Sequence, residues 1–480
     1  MPVSRPYRPE PRFMALGPEF ADNVEPARFP TAIIRHRHQR AAATVGLEQL
    51  SDTEWLAHFA RFEPLPENQP KPLAMRYHGH QFRNYNQELG DGRGFLFAQL
   101  RETGTGRLLD LATKGSGKTP YSRTADGRLT LKGGVREVLA ATMLETLGVP
   151  TSRAFSLIET GEALERGDEP SPTRSGVLTR LSHSHIRFGT FQRHAYFDRP
   201  DLVGTLAEHA LATYFPDVDA TDPGAALMAC AARSTARLAA RWMAAGFVHG
   251  VLNTDNMVVT GESFDYGPWR FLPRSDPYFT AAYFDHAGLY AFGRQPQTAF
   301  WNLEQLGGCL SLISGSEGLI AALELFGPAY QAELAAAVVE RLGLVSRGAD
   351  GDQGLAQAAF AGLAEGGEAL RWEPFFFDWF CGAASERRAL ESPRSVLYQQ
   401  AAMLEFRRRL EGYEPERRER LESPVFAADL PQEMLIAEVE NIWAAIAYQE
   451  NWQPLHDKLA GLEAARLAYG LAQQSRNYCD

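Results

Sequence analysis

The hydrophobic pattern of the chain changes once, near residue 181, and few architectures accommodate both halves. From 71 to 181, short strand-like runs alternate with Gly-rich turns: Gly94–Leu100, Leu108–Lys114, Arg153–Glu159 and Gly176–Leu181. One helical segment, Val135–Leu147, interrupts them and ends on Gly148 and Pro150, a glycine stop followed by a residue that cannot continue a helix. After 181 the period is helical, in Asp201–Tyr214 and in Ala225–Ala245, which closes on Gly246. A short loop-strand-loop from Phe247 to Gly267 follows, then helices to the end. Residues 1–70 read as an irregular, Pro- and Arg-rich extension with one helix around Asp52–Phe62. The expected class is α+β in four units: an extension at 1–70, a sheet-rich lobe at 71–181, a helical lobe at 182–345 and a helical region at 346–480.

The formal net charge of −11 disfavours nonspecific nucleic-acid binding, which needs a basic surface. No apolar run reaches the ~18 residues of a membrane span, and the first residues, Met1-Pro2-Val3-Ser4-Arg5-Pro6, lack the apolar core of a secretory signal. A soluble cytoplasmic protein is expected, without nucleic-acid or membrane partners. Cys230, Cys309, Cys381 and Cys479 form no CxxC and no metal-ligand spacing; the first three are expected in the interior. A chain this acidic needs a local cluster of Arg and Lys to hold a polyphosphate.

A sheet-rich lobe with one helix ahead of a larger helical lobe is the layout of protein kinases. The segment His249-Gly250-Val251-Leu252-Asn253-Thr254-Asp255-Asn256 carries the His and Asn of a kinase catalytic loop at the right spacing. Val251 stands where such a loop places its base, and a valine accepts no proton. Asp265-Tyr266-Gly267 follows as a variant of the metal-binding D-F-G. Asn256 and Asp265 thus supply oxygen ligands for a hard cation, with phosphate and water completing the shell. Outside this register, Asn253, Asp255 and Asn256 would read as turn residues.

Lys114 ends a strand-like run, and Glu137 lies 23 residues later on the predicted helix. Alone they read as surface charges; upstream of the catalytic-loop pattern they read as the strand-lysine and helix-glutamate pair that positions ATP phosphates. Gly115-Ser116-Gly117-Lys118-Thr119 imitates a P-loop, but Ala112 replaces its first glycine and Ser122 to Gly127 is turn-like where a helix is required. Glu88-Leu89-Gly90-Asp91-Gly92-Arg93-Gly94 has alternate glycines, which allow close backbone approach to a phosphate or ribose and equally make a plain hairpin turn. Arg180 and Arg187 are candidates for bidentate phosphate contacts.

Together these strings resemble the selenoprotein O family. The resemblance rests on Tyr77-His78-Gly79-His80-Gln81-Phe82, Leu89 to Arg93, Lys114 to Gly117 with Thr119 to Arg123, Arg136-Glu137, Leu178 to Arg180, His185 to Phe191, His249 to Met257, Asp265 to Pro268 and Gln295-Pro296, and covers residues 70 to 310. It implies a two-lobed kinase-like fold that binds ATP inverted, with Mg²⁺ or Mn²⁺, and moves AMP to Ser, Thr or Tyr of proteins. By position it implies nucleotide contacts at Gly90, Gly92, Arg93, Lys114, Asp126, Gly127, Arg180, Arg187 and Asp265, with Glu137 as the Lys114 partner. It implies metal ligands at Asn256 and Asp265 and a base at Asp255. Beyond residue 345 the family strings are hard to find, so divergence is expected there. Family members can pair a C-terminal Cys with one after the D-Y-G; Ser275 to His286 contains none, so that clamp is not expected through Cys479. Two alternatives stay open: a γ-phosphoryl transferase and a non-catalytic ATP-binding scaffold.

Overall fold

The computed structural model describes residue 4, residues 6–167 and residues 169–471. Its strands, in chain order, are β1 (Ala21–Asn23), β2 (Ile33–Arg37), β3 (Leu73–Met75), β4 (Gly79–Gln81), β5 (Asn84–Asn86), β6 (Leu96–Arg101), β7 (Leu108–Lys114), β8 (Leu129–Thr130), β9 (Arg153–Leu164), β10 (Thr173–Ser182), β11 (Phe247–Val248) and β12 (Arg270–Phe271). The main sheet runs β1-β3-β6-β7-β10-β9-β2, with β8 added on β10, and its pairings are antiparallel. Separate two-stranded ribbons are formed by β4 with β5 and by β11 with β12.

β7 sits between β6 and β10 and is buried along its whole length, which is why Leu108-Leu109-Asp110-Leu111 shows no alternation. Its one buried carboxylate is satisfied: Asp110 accepts from Gln99 Nε2 at 2.7 Å and from the His185 amide at 2.9 Å. The helix Leu131–Thr146 crosses the sheet and packs Leu131, Val135, Val138 and Leu139 against Leu157 and Leu178. It starts four residues earlier than its apolar period suggests, because Gly133 and Gly134 interrupt the pattern. A side chain at Gly134 would run into Leu157, so the glycine allows helix and sheet to approach. Thr130 caps the first turn by accepting from the Gly133 amide at 3.1 Å.

The 1–70 segment is woven into the sheet rather than merely laid on it. β1 and β2, read from the sequence as irregular, form opposite ends of the strand order. Their compositions, Ala-Asp-Asn and Ile-Ile-Arg-His-Arg, are too short and polar to show a strand period. The expected helix is present at Asp52–Phe59, capped by a reciprocal Ser51–Glu54 box.

Beyond the sheet, the 22-residue helix Pro223–Ala244 packs against Pro200–Tyr214, Gln295–Leu310 and Phe326–Arg341. The chain from 247 to 271 runs over this helical mass with little regular structure beyond the β11–β12 pair. The helices Ile436–Gln449 and Gln453–Tyr469 return to the sheet side and lie against Leu131–Thr146. Lys132 pairs with Glu440 at 2.7 Å and Thr146 Oγ1 donates to the Leu462 carbonyl at 3.2 Å. The whole is a mixed α/β chain with a main antiparallel sheet and many helices. No helix among the described residues is long and apolar enough to cross a membrane. Cys230, Cys309 and Cys381 are buried; Cys479 lies outside the described residues.

Candidate functional site

A cleft of about 430 Å³ opens between the ends of β7 and β10 and the 247–267 segment, and it brings Gly90, Gly92, Arg93, Lys114, Arg180, Arg187, Asp255, Asn256 and Asp265 onto one wall system. Lys114 is the last residue of β7, opposite Leu178 of β10. Its ammonium donates to Glu137 Oε1 at 2.5 Å and to Asp265 Oδ1 at 2.8 Å. Glu137, on the second turn of its helix, is buried behind the lysine, and its Oε2 has no hydrogen-bond partner among the described residues. The pair expected from sequence is therefore formed.

Asp265 is the hub. Its backbone is left-handed, φ +49°, an uncommon conformation for a residue with a Cβ. The neighbouring Tyr266 fixes the turn, with its hydroxyl on Thr151 Oγ1 at 2.6 Å and Ser152 Oγ at 3.0 Å. Asp265 Oδ1 also accepts from Arg180 at 2.8 Å, and Oδ2 from Arg187 at 3.1 Å. Burial opposes its ionisation, but Arg180, Lys114 and Arg187 together hold the carboxyl well below the usual range. Arg187 donates further to the Asp255 carbonyl at 2.7 Å and to Asp91 at 3.3 Å. Its guanidinium lies 4.6 Å from the ring centres of both Tyr77 and Phe264. The inner cations Lys114, Arg180 and Arg187 are thus matched by Glu137, Asp265 and Asp91.

The 249–256 loop is held mostly by side chains reaching backbone. The His249 amide donates to Gln295 Oε1 at 2.9 Å while Gln295 Nε2 donates to the Phe247 carbonyl at 2.8 Å, which gives the Gln295-Pro296 string its structural role. His249 is fully buried, and burial pushes its pKa down to about 4. Asn253 and Thr254 face protein: Asn253 Oδ1 accepts from the Phe82 amide at 3.1 Å and from Tyr290 at 2.7 Å, and Thr254 bridges Gln192 and the His80 amide. The string Tyr77 to Phe82 therefore clips the β4–β5 ribbon onto this loop. Asp255 and Asn256 face the cleft. Asn256 Nδ2 donates to the Val251 carbonyl at 2.9 Å, which commits the amide nitrogen and leaves its oxygen for a cation. Asp255 lies against Gly79, burial pushes its pKa up to about 6, and its buried Oδ1 has no hydrogen-bond partner among the described residues.

These oxygens fit a hard cation: the Asn256 amide, the Asp265 carboxylate and the unpartnered Asp255 Oδ1 nearby. Among the described residues no group of three or more His, Cys, Asp or Glu is set to hold a metal by itself. A cation here would share its shell with phosphate oxygens, as Mg²⁺ sites commonly do.

The Gly90–Arg93 turn is stapled to the chain after β7. Gly115 N–H donates to the Arg93 carbonyl at 2.6 Å, Thr119 Oγ1 to the Asp91 carbonyl at 2.6 Å and Ser122 Oγ to the Gly92 carbonyl at 2.5 Å. A Cβ at Gly90 would run into the Tyr121 ring. No helix follows Thr119, in keeping with the rejection of a P-loop. Asp126 and Gly127 do not line the main cleft. Asp126 pairs with Arg166 at 2.8 Å and accepts from the Arg128 amide at 3.0 Å, beside a second cavity of about 390 Å³ that shares Arg93, Lys114 and Gly267 with the first. Tyr77, Asp91 and Arg123 also line the main cleft and were not singled out as site residues from sequence. All three stand inside the motif strings, and the glycine-flanked Asp91 was the most visible.

A model of the family described as protein adenylyltransferase SelO matches residues 6–463. The protein nucleotidyltransferase YdiU of Synechocystis is 42% identical over 479 residues, covering 95% of this chain and 98% of the relative. That of Synechococcus elongatus is 51% identical over 354 residues, 72% of this chain and 70% of the relative. That of Vibrio cholerae is 38% identical over 354 residues, 74% and 71% of the two chains. The family model runs past residue 345 to 463 and the Synechocystis relative matches over 95% of the chain, whereas the Synechococcus elongatus and Vibrio cholerae matches cover 72% and 74% of it.

Proposed function

The chain belongs to the protein adenylyltransferase SelO family, and from that premise we propose that it takes ATP in an inverted pose and transfers AMP to Ser, Thr or Tyr hydroxyls of proteins, releasing pyrophosphate. One observation carries the orientation. The cations deepest in the cleft, Arg180 and Arg187, are 3% and 4% exposed, and Lys114 is 7% exposed. These cations are already paired with carboxylates, and the terminal phosphates, the most charged end of ATP, are the groups best able to take a carboxylate's place on them. The β- and γ-phosphates then lie inward, and the α-phosphorus lies toward Asp255. The nucleoside runs past Arg93 toward Asp126 and Gly127; Asp126 bonds Arg128 and Arg166, which line the second cavity.

The roles follow from the chain's own groups. Lys114, Arg180 and Arg187 exchange Asp265 for phosphate oxygens, while Glu137 keeps the lysine aimed. Asn256 and Asp265 would hold Mg²⁺ or Mn²⁺, which neutralises phosphate charge when bound. Asp255, whose buried Oδ1 has no hydrogen-bond partner among the described residues, accepts the proton of the attacking hydroxyl as general base. Most of the rate enhancement comes from positioning and charge stabilisation. The Lys114–Glu137 pair, the left-handed Asp265 and the His249–Asn256 loop also support a kinase-like two-lobed arrangement, with 71–181 and 182–345 as the lobes. Val251 argues against γ-phosphoryl transfer, since it cannot serve as base at that loop position.

The test is incubation with ATP labelled on the α- or the γ-phosphate, followed by measurement of covalently bound label. Label from the α-position alone is expected; label from the γ-position would overturn the reading.

A further inference from the structure

The charges of the cleft divide into two sets. The inner cations are each bound to a carboxylate, as described above. Arg93 and Arg123 also line the cleft, are exposed, and form no ion pair with any described residue. A nucleoside triphosphate entering the cleft therefore meets its uncompensated positive charge at the mouth.

Arg123 is also held in an unusual way. Its φ is +53°, the left-handed region that a residue with a Cβ rarely adopts. The turn around it is fixed on both sides: the Thr119 amide donates to Ser122 Oγ at 2.8 Å, the Ala125 amide to the Ser122 carbonyl at 2.8 Å, and Tyr121 Oη bonds Asp22. Ser122 and Thr119 then tie this turn to the carbonyls of Gly92 and Asp91. A strained backbone held this firmly, on an arginine with no partner, is a feature of sites where strain serves positioning.

We propose that Arg123 contacts the α-phosphate of the bound nucleotide and stabilises the charge that builds there during transfer. The proposal rests on the AMP-transfer reading above. In the step, the acceptor oxygen bonds to the α-phosphorus and the bond from that phosphorus to the α–β bridging oxygen breaks. Pyrophosphate leaves with the electron pair, and the hydroxyl proton passes to Asp255. The guanidinium of Arg123 keeps its charge throughout and can offer two donors to the non-bridging oxygens.

The experiment compares full-length wild type with Arg123→Gly and Arg123→Lys. It measures AMP transfer as kcat and KM, ATP affinity by calorimetry with Mg²⁺ present, and Tm. Glycine relieves the left-handed backbone, so Arg123→Gly is expected to keep or raise Tm. Its kcat is expected to fall about 10²–10³-fold, the usual effect of removing one transition-state donor. ATP affinity should fall less than about 10-fold, and Arg123→Lys should recover part of kcat. A wild type that transfers no AMP overturns the underlying reading and this inference with it. A wild type that transfers AMP alongside an Arg123→Gly with kcat within about threefold overturns this inference alone. A loss confined to ATP affinity, with kcat unchanged, overturns it too.

Discussion

The two ends of the cleft use the same residue types in opposite states. At the inner end Lys114, Arg180 and Arg187 are buried and each rests on a carboxylate. At the mouth Arg93 and Arg123 are exposed and unpaired among the described residues; Asp255, whose backbone carbonyl accepts from the inner Arg187, has a buried side-chain oxygen without a hydrogen bond. Cations paired in advance are rigid and cost little reorganisation when phosphate replaces the carboxylate. Unpaired groups at the mouth are left free for atoms that change charge or lose a proton. The paired cations thus read as a holder, and the unpaired groups, Arg123 and Asp255, as the ones proposed for chemistry. Substitutions at the two ends should separate binding from turnover.

The largest effect is expected at the hub. Asp265→Ala removes the only carboxylate paired with Arg180 among the described residues, one of the two paired with each of Lys114 and Arg187, and a proposed cation ligand, and AMP transfer should fall below detection. Breaking a buried pair costs about 3–5 kcal/mol, so Tm should fall as well, and Mg-ATP affinity measured by calorimetry should weaken. Near-normal transfer by this variant, with Mg²⁺ as the only metal, would remove Asp265 from the site. Next is Asp255→Ala. Transfer should drop about 10²–10⁴-fold, while ATP affinity stays close to wild type because the inner cations are untouched. Equal losses in affinity and turnover would erase the division between the two ends. Glu137→Gln is milder: Lys114 loses its second carboxylate but keeps Asp265, and the misplacement should cost up to about 10²-fold in kcat/KM, read by steady-state kinetics. The smallest effect is assigned to Val251→Asp. It should give no γ-phosphate transfer and a stability loss on the order of 1 kcal/mol, seen as a modest shift in Tm. Robust γ-phosphate transfer by that variant would mean the nucleotide lies the other way round.

Much of the inner end was legible in the sequence because it lies in regular elements. The run Leu108–Lys114 matches β7 in full, and Glu137 falls on the expected helix. The spacing of His249 and Asn256 located the loop without any knowledge of its path. The mouth was harder to read. Arg123 owes its position to a turn stapled by Thr119, Ser122 and Tyr121 to partners near residues 22 and 92, and such side-chain staples leave no periodic trace. Asp91 was visible between glycines, but its pairing with Arg187 joins residues 96 apart in the chain, a contact that a single sequence does not give. β1 and β2 are too short to show alternation. The packing of the two C-terminal helices on the Glu137 helix is a long-range contact with no local signal, carried by pairs such as Lys132–Glu440.

The inner cations are proposed to hold the terminal phosphates. A crystal structure of the full chain with Mg²⁺ and an ATP analogue whose α–β bridge cannot be cleaved tests this most directly. The γ-phosphate is expected on Arg180 and Arg187, with the α-phosphorus facing Asp255 and the nucleoside beside Asp126 and Gly127. A nucleoside seated against Arg180, with the γ-phosphate at Asp255, would contradict it.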